Sequence, residues 1–199
     1  MKIVGLTGRS GCGKSTVSAH YRSLGYLVAD ADVVAREVLQ PGSCCVEQLA
    51  EVFGEEIIGP DGAIQRRLLA DKAFALPNGS QILVDITHPE ITRRLLAAAE
   101  SAKQQGCEVF FVDGAVIVGA PFEAYCDEIM LVTAPLEQSV QRICARDEIS
   151  EESARRRLDA QLSEETLRAV CRVEIRNDSD LQTLLNRADE ALKTLKGGM

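Results

Sequence analysis

The residues best suited to chemistry stand near the start of the chain, in Gly8-Arg9-Ser10-Gly11-Cys12-Gly13-Lys14-Ser15-Thr16. The spacing is G-x-x-x-x-G-K-S. Glycines let the backbone wrap closely around phosphate oxygens, and successive N–H groups form an anion-binding nest at the positive end of a helix. Lys14 reaches the β- and γ-phosphates, and the Ser15 hydroxyl ligates Mg²⁺. A nucleoside triphosphate is the ligand this pattern predicts. Its flanks suit it: Ile3–Thr7 reads as a strand, and Ser15 to about Leu24 reads as a helix.

Other groups fit the same chemistry. Val109-Phe110-Phe111-Val112-Asp113 is an apolar run ending in a carboxylate, the second signal expected beside such a loop, where an acid holds Mg²⁺ or its waters. Asp30-Ala31-Asp32 follows another apolar run. A carboxylate there accepts the proton of an acceptor hydroxyl as it attacks the γ-phosphorus, while the other orients substrate or metal. Asp32 also reads as the N-cap of a helix starting at Val33. Arg36 lies one turn later, placed to pair with Asp32 or to bind an anionic substrate group. His88-Pro89 precedes a helix predicted to begin near Glu90, which makes His88 an acceptor-site candidate beside its plainer role as a structural hydrogen-bonder. Arg142 and Arg146 share a helix face, and guanidinium groups closing over a triphosphate stabilise its developing charge. Arg155-Arg156-Arg157, among Glu151, Glu152, Glu164 and Glu165, reads as a solvated, ion-paired surface, with Gln161 just beyond it.

These groups need elements to position them. The chain has 199 residues, 46% hydrophobic and 26% charged, enough for one sizeable core. Apolar runs predict strands at Lys2–Thr7, Tyr26–Ala29, Glu108–Val112, Glu128–Val132 and Arg172–Ile175, alternating with helical stretches. Ile91, Leu95, Leu96 and Ala99 share one helical face; Val140, Ile143 and Cys144 share another. Pro41-Gly42 and Pro77-Asn78-Gly79 are breaks, and Pro135 fits a first helical turn. The alternation predicts an α/β, three-layer sandwich around a five-stranded parallel sheet. We read residues 1–199 as one domain, with 31–105 a mostly helical acceptor-binding insertion and 146–172 a mobile helical lid. The tail Lys193–Met199 is expected to fray.

Composition excludes other classes. A net charge of −8, no Trp and 4% aromatics argue against a nucleic-acid partner. No apolar run is long enough to span a membrane, and the first residues read as a strand rather than a signal peptide. Seven Cys without C-x-x-C spacing and two His argue against zinc and fit a reducing cytoplasm. Nothing in the residues specifies an oligomeric state.

Taken together, the chain resembles the dephospho-coenzyme A kinase family. The family's GLTG-x-x-G-x-GKST loop stands here as Gly5 to Thr16, its D-A-D-x-x-A-R element as Asp30 to Arg36, and its I-x-H-P element as Ile86 to Pro89. Pro41-Gly42, Phe53-Gly54 and Asp61-Gly62 through Leu69 match in order, as do R-x-x-x-RD at Arg142 to Asp147, R-x-x-x-Q at Arg157 to Gln161, and Asn177. The resemblance implies a P-loop kinase fold and ATP-dependent phosphorylation of the ribose 3′-hydroxyl of dephospho-coenzyme A. It further implies Asp32 as the base with Asp30 second, Lys14 and Arg146 on the transferred phosphoryl group, and Asn177 near adenine. Asp30, Asp32, Arg36, His88 and Gln161 would hold the acceptor. Gly8, Gly11, Cys12, Gly13, Lys14, Ser15, Thr16, Arg142 and Asn177 would hold ATP, and Ser15 and Asp113 the Mg²⁺.

One stretch departs. The family's Asp-x-Pro-Leu-Leu-hydrophobic-Glu is here Asp113-Gly114-Ala115-Val116-Ile117-Val118-Gly119, without proline or acid, which alters the expected acceptor wall. The alternatives are a P-loop kinase for another nucleoside or nucleotide hydroxyl, and a nucleotide-binding homologue with weakened catalysis. A GTPase is disfavoured: N-K-x-D is absent, and Asp113 does not open a D-x-x-G.

Overall fold

The computed structural model describes residues 1–115 and 117–197. Five strands form one sheet: β1 Lys2–Thr7, β2 Leu27–Asp30, β3 Val109–Asp113, β4 Glu128–Thr133 and β5 Val173–Arg176, in the order β2-β3-β1-β4-β5. The pairs β1–β3, β1–β4 and β4–β5 are parallel, with Leu6 opposite Asp113 and Met130. Helices α1 Lys14–Ser23, α2 Ala31–Glu37, α3 Cys44–Phe53, α4 Arg66–Ala75, α5 Gly79–Gln104, α6 Leu136–Asp147, α7 Glu151–Asp159, α8 Glu164–Val170 and α9 Leu181–Gly197 complete the order. The chain forms two compact units, Met1–Ala29 with Ala102–Met199, and Asp30–Ser101.

In the first unit, β3 is buried at every position, as an interior parallel strand is. Val4, Leu6, Val109, Phe111, Met130 and Val132 pack with α1 and α9. The Tyr21 ring stacks on Phe111 at 4.6 Å, and its hydroxyl donates to Ala188 O, so the buried polar end is satisfied. On the opposite face, Gly5 stands against Ile117, Cys126 and Ile129. Val140, Ile143, Ala154 and Leu158 form a satellite core between α6 and α7. The second unit has its own core, including Val38, Leu49, Phe53, Ile57 and Leu69.

Several expectations are corrected. Three strands start and end one residue later than the apolar runs suggest; in β3 and β5 the ladder extends through the terminal polar residue, Asp113 and Arg176. The N-cap of α2 is Asp30, not Asp32: Asp30 is extended and its carboxylate accepts from Val33 N at 3.0 Å. Asp32 lies inside the first turn, where negative charge complements the helix dipole. Pro135 stands at the N-cap of α6, just outside the first turn. The helix expected to begin near Glu90 is the second half of α5, which passes through Pro89. Proline removes one intrahelical bond there; apolar contacts on both sides, Ile82, Leu83 and Ile86 before it and Ile91 after it, hold the helix together. The tail is helical through Gly197, since Leu195 is buried and its carbonyl accepts from Lys2 Nζ; Gly198 and Met199 lie outside the described residues, as does Val116.

Candidate active site

The strand order places a topological switch beside β1, with connections leaving toward β2 on one side and β5 on the other. Ligands of open α/β sheets bind at the carboxyl ends of strands at such a point. The loop Gly8–Gly13 leaves β1 there. A Cβ at Gly8 would strike the Val132 carbonyl of β4, so only glycine lets the loop lie this close. Gly13, at φ 99, turns the chain into α1. Its carbonyl accepts from Thr16 N and Val17 N, which leaves the N–H groups of Lys14 and Ser15 without an intrahelical acceptor.

The Lys14 ammonium pairs with one oxygen of Asp113, and Ser18 donates to the other. Asp113 is 5% exposed, so its orientation is held by these two donors. Ser18 escaped the sequence reading; its signal was the i, i+4 spacing from Lys14 on one helix face. Asp113 and the exposed Ser15 hydroxyl are hard oxygen donors of the kind Mg²⁺ takes. Among the described residues no group of three or more His, Cys, Asp or Glu side chains is arranged to hold a metal. Mg²⁺ fits such a site because phosphate oxygens and water normally complete its shell.

Residues distant in the chain hold the loop from outside. Arg142 donates to Gly11 O at 3.2 Å, and Asn177 Nδ2 donates to Cys12 O at 2.8 Å. Gln161 accepts from Ser10 N and donates to Ser10 Oγ, both at 2.9 Å. Arg9 donates to Leu158 O at the end of α7; as a variable position of the motif, Arg9 carried no signal in sequence. Cys12 contributes its main chain, and its thiol also meets the Lys14 backbone. Its thiol is buried, and burial pushes its pKa up to about 11, so it packs as a protonated apolar group.

Arg146 is not gathered with these groups. It is largely exposed and forms a two-pronged pair with Asp147, at 2.7 and 2.8 Å. Asp147 also takes Arg157, and hydrogen bonding to Arg146 is the main cause that holds its pKa near 2. Arg155 pairs with Glu137 and Glu151, and Arg156 with Glu152, an ion-paired surface.

In the second unit, Arg36 Nε donates to the main-chain carbonyl of Asp32 at 3.0 Å. His88 lies half-buried within α5; burial lowers its pKa, against an opposing pull from Asp85. Glu90, next but one to His88, is tied to Arg93 and Arg94, and these hydrogen bonds hold its carboxyl near pKa 2. In the first unit, the altered stretch after β3 brings another acid into play. Glu123 accepts from Gly119 N at 2.6 Å, and Gly119 has φ 82.

Comparison with known proteins agrees with this fold. A family model described as dephospho-CoA kinase matches residues 2–183. A Corynebacterium diphtheriae dephospho-CoA kinase is 34% identical over 190 residues, covering 96% of this chain and 95% of its own. A solved Thermus thermophilus protein, TT1252, superposes with a TM-score of 0.82 at 34% identity, covering 97% of this chain and 96% of its own. A dephospho-CoA kinase from Campylobacter jejuni gives 0.74 at 26% identity, over 100% of both chains.

Proposed function

This chain belongs to the dephospho-CoA kinase family, and from that premise we infer that it transfers the γ-phosphoryl group of ATP to the ribose 3′-hydroxyl of dephospho-coenzyme A. The carrying observation is the loop Gly8–Gly13, ending on a lysine whose ammonium meets a buried carboxylate at the end of β3. Such a loop binds phosphates through main-chain N–H groups, and its lysine neutralises charge on the transferred group.

In the reaction, Asp32 takes the proton from the 3′-hydroxyl, with Asp30 the second candidate. The hydroxyl oxygen bonds to the γ-phosphorus, and the bond to the β–γ bridging oxygen breaks to release ADP. Lys14 and Arg146 offset the charge that develops. For this Arg146 must exchange its pairing with Asp147 for the phosphate. Arg36, His88 and Gln161 complete the acceptor contacts; Arg142 and Asn177 serve the nucleotide. Ser15 and Asp113 would hold Mg²⁺, which when bound screens the β- and γ-oxygens. Residues 31–105 serve as acceptor-binding insertion and 146–172 as lid of one catalytic domain. Seven unbridged cysteines favour the cytoplasm. Among the described residues no helix is long and apolar enough to cross a membrane.

The test is transfer from γ-labelled ATP to dephospho-coenzyme A beside a panel of nucleosides and nucleotides. Label must appear on dephospho-coenzyme A in preference; preferential labelling of a nucleoside overturns the acceptor assignment, and no labelling overturns catalysis.

A further inference from the structure

Each peptide plane carries its C=O and N–H on opposite sides, so holding one aims the other. The Cys12–Gly13 peptide is held at its oxygen by Asn177 Nδ2 at 2.8 Å, and the bond spans 165 residues. The Gly13 N–H therefore faces away from Asn177, to the side where the nest opens. A Cβ at Gly13 would collide with the same Asn177 nitrogen, so the glycine and the amide are fitted to each other. Asn177 is itself fixed: it is 7% exposed, and its backbone N–H donates to Thr133 O at 2.7 Å. Arg142 holds the preceding carbonyl, Gly11 O, in the same manner.

We infer that Asn177 is a positioning residue for the phosphate nest, aiming the Gly13 N–H at a phosphate oxygen through the Cys12 carbonyl, rather than a reader of the nucleotide base. This rests on the ATP reading above and deepens it. A phosphate ligand without a base must then feel the loss of Asn177 as strongly as ATP does.

The experiment measures inorganic tripolyphosphate as a competitor of ATP, the binding of ATP, and the preference for ATP over GTP. It uses the full chain and the variants Asn177→Ala and Asn177→Leu. Leucine is close in shape and lacks the donor, and circular dichroism selects a temperature at which the variants are folded. Leaving Cys12 O unsatisfied should weaken tripolyphosphate and ATP by the same factor, roughly 10- to 100-fold, with the ATP-to-GTP preference unchanged. Wild-type affinity for tripolyphosphate with weakened ATP, or an altered base preference, overturns the inference and assigns Asn177 to the base. Unchanged binding of both ligands also overturns it. A wild-type chain that binds neither ATP nor tripolyphosphate instead sinks the nucleotide reading itself.

Discussion

The phosphate loop and the Asp30–Ser101 unit hold their candidate residues in opposite ways. Around the loop, the contacts that set geometry join distant parts of the chain: Lys14 to Asp113, Gly11 to Arg142, Ser10 to Gln161 and Cys12 to Asn177. In the second unit the bonds of Asp30, Arg36 and Glu90 are local, Asp30 to Val33, Arg36 to Asp32, and Glu90 to Arg93 and Arg94, although Arg94 also reaches Glu37 at 4.0 Å. Phosphate binding needs N–H groups aimed together, and a short loop cannot aim them unaided. Damage to the first region should therefore spread to fold and chemistry together, whereas damage to the second should separate them.

The largest expected effect is at Lys14. Lys14→Ala should lower turnover by about 10³-fold or more. It should also cost about 3–5 kcal/mol of stability, because the buried Asp113 carboxylate loses its cation and keeps only Ser18. The double variant Lys14→Ala with Asp113→Asn should recover stability and not activity, read by thermal melts and transfer assays. Equal stability of the single and double variants would show that the ion pair does not couple loop to sheet.

Next is Asp32. Asp32→Asn should lower kcat by about 10²–10⁴-fold with ATP binding and melting nearly unchanged. Asp30→Ala should instead cost about 0.5–2 kcal/mol, since Asp30 caps α2. If Asp30→Asn, which keeps a cap, cripples kcat while Asp32→Asn is mild, the two roles are exchanged.

A smaller effect is expected where the chain leaves its family. Restoring an acid by Gly119→Glu would force a side chain onto φ 82, a backbone that favours glycine. Glu123 is the better probe, because its carboxylate already sits on the Gly119 N–H. Glu123→Gln should raise KM for dephospho-coenzyme A by up to roughly 100-fold and leave KM for ATP alone. Parallel changes in both constants would remove this loop from the acceptor wall.

The smallest effect is a pH dependence in α5. Burial lowers the His88 pKa below its ordinary 6.5, so the unfolded chain takes up the proton first as pH falls. The linked stability is fully present above pH 6.5 and is lost as pH drops through 6.5 toward the folded pKa. Melting temperature between pH 7.5 and 5.5 should fall more steeply for the wild type than for His88→Gln; parallel slopes would count against burial as the cause.

Much of the first region was legible in advance because its types and spacing form a motif with one known physical use. The five strands were legible too as apolar runs, of which β1, β3 and β4 are mostly buried while β2 and β5 are not. What misled was local. Asp30 and Asp32 are both plausible caps two residues apart, and the choice turned on where β2 ended. His88-Pro89 looked like a helix start, yet packing on both sides of Pro89 outweighed one lost hydrogen bond.

The residues by themselves determined the α/β class, the phosphate loop and the carboxylates after β2 and β3, because periodicity, glycine spacing and strand-end acids are properties of neighbours in the chain. Only the tertiary structure decided that Lys14 and Ser18 meet on Asp113, and that Asn177 grips the Cys12 carbonyl. The reason is that a buried donor or acceptor takes whichever partner the packed sheet and helices bring within about 3 Å, and that choice is made by distant segments.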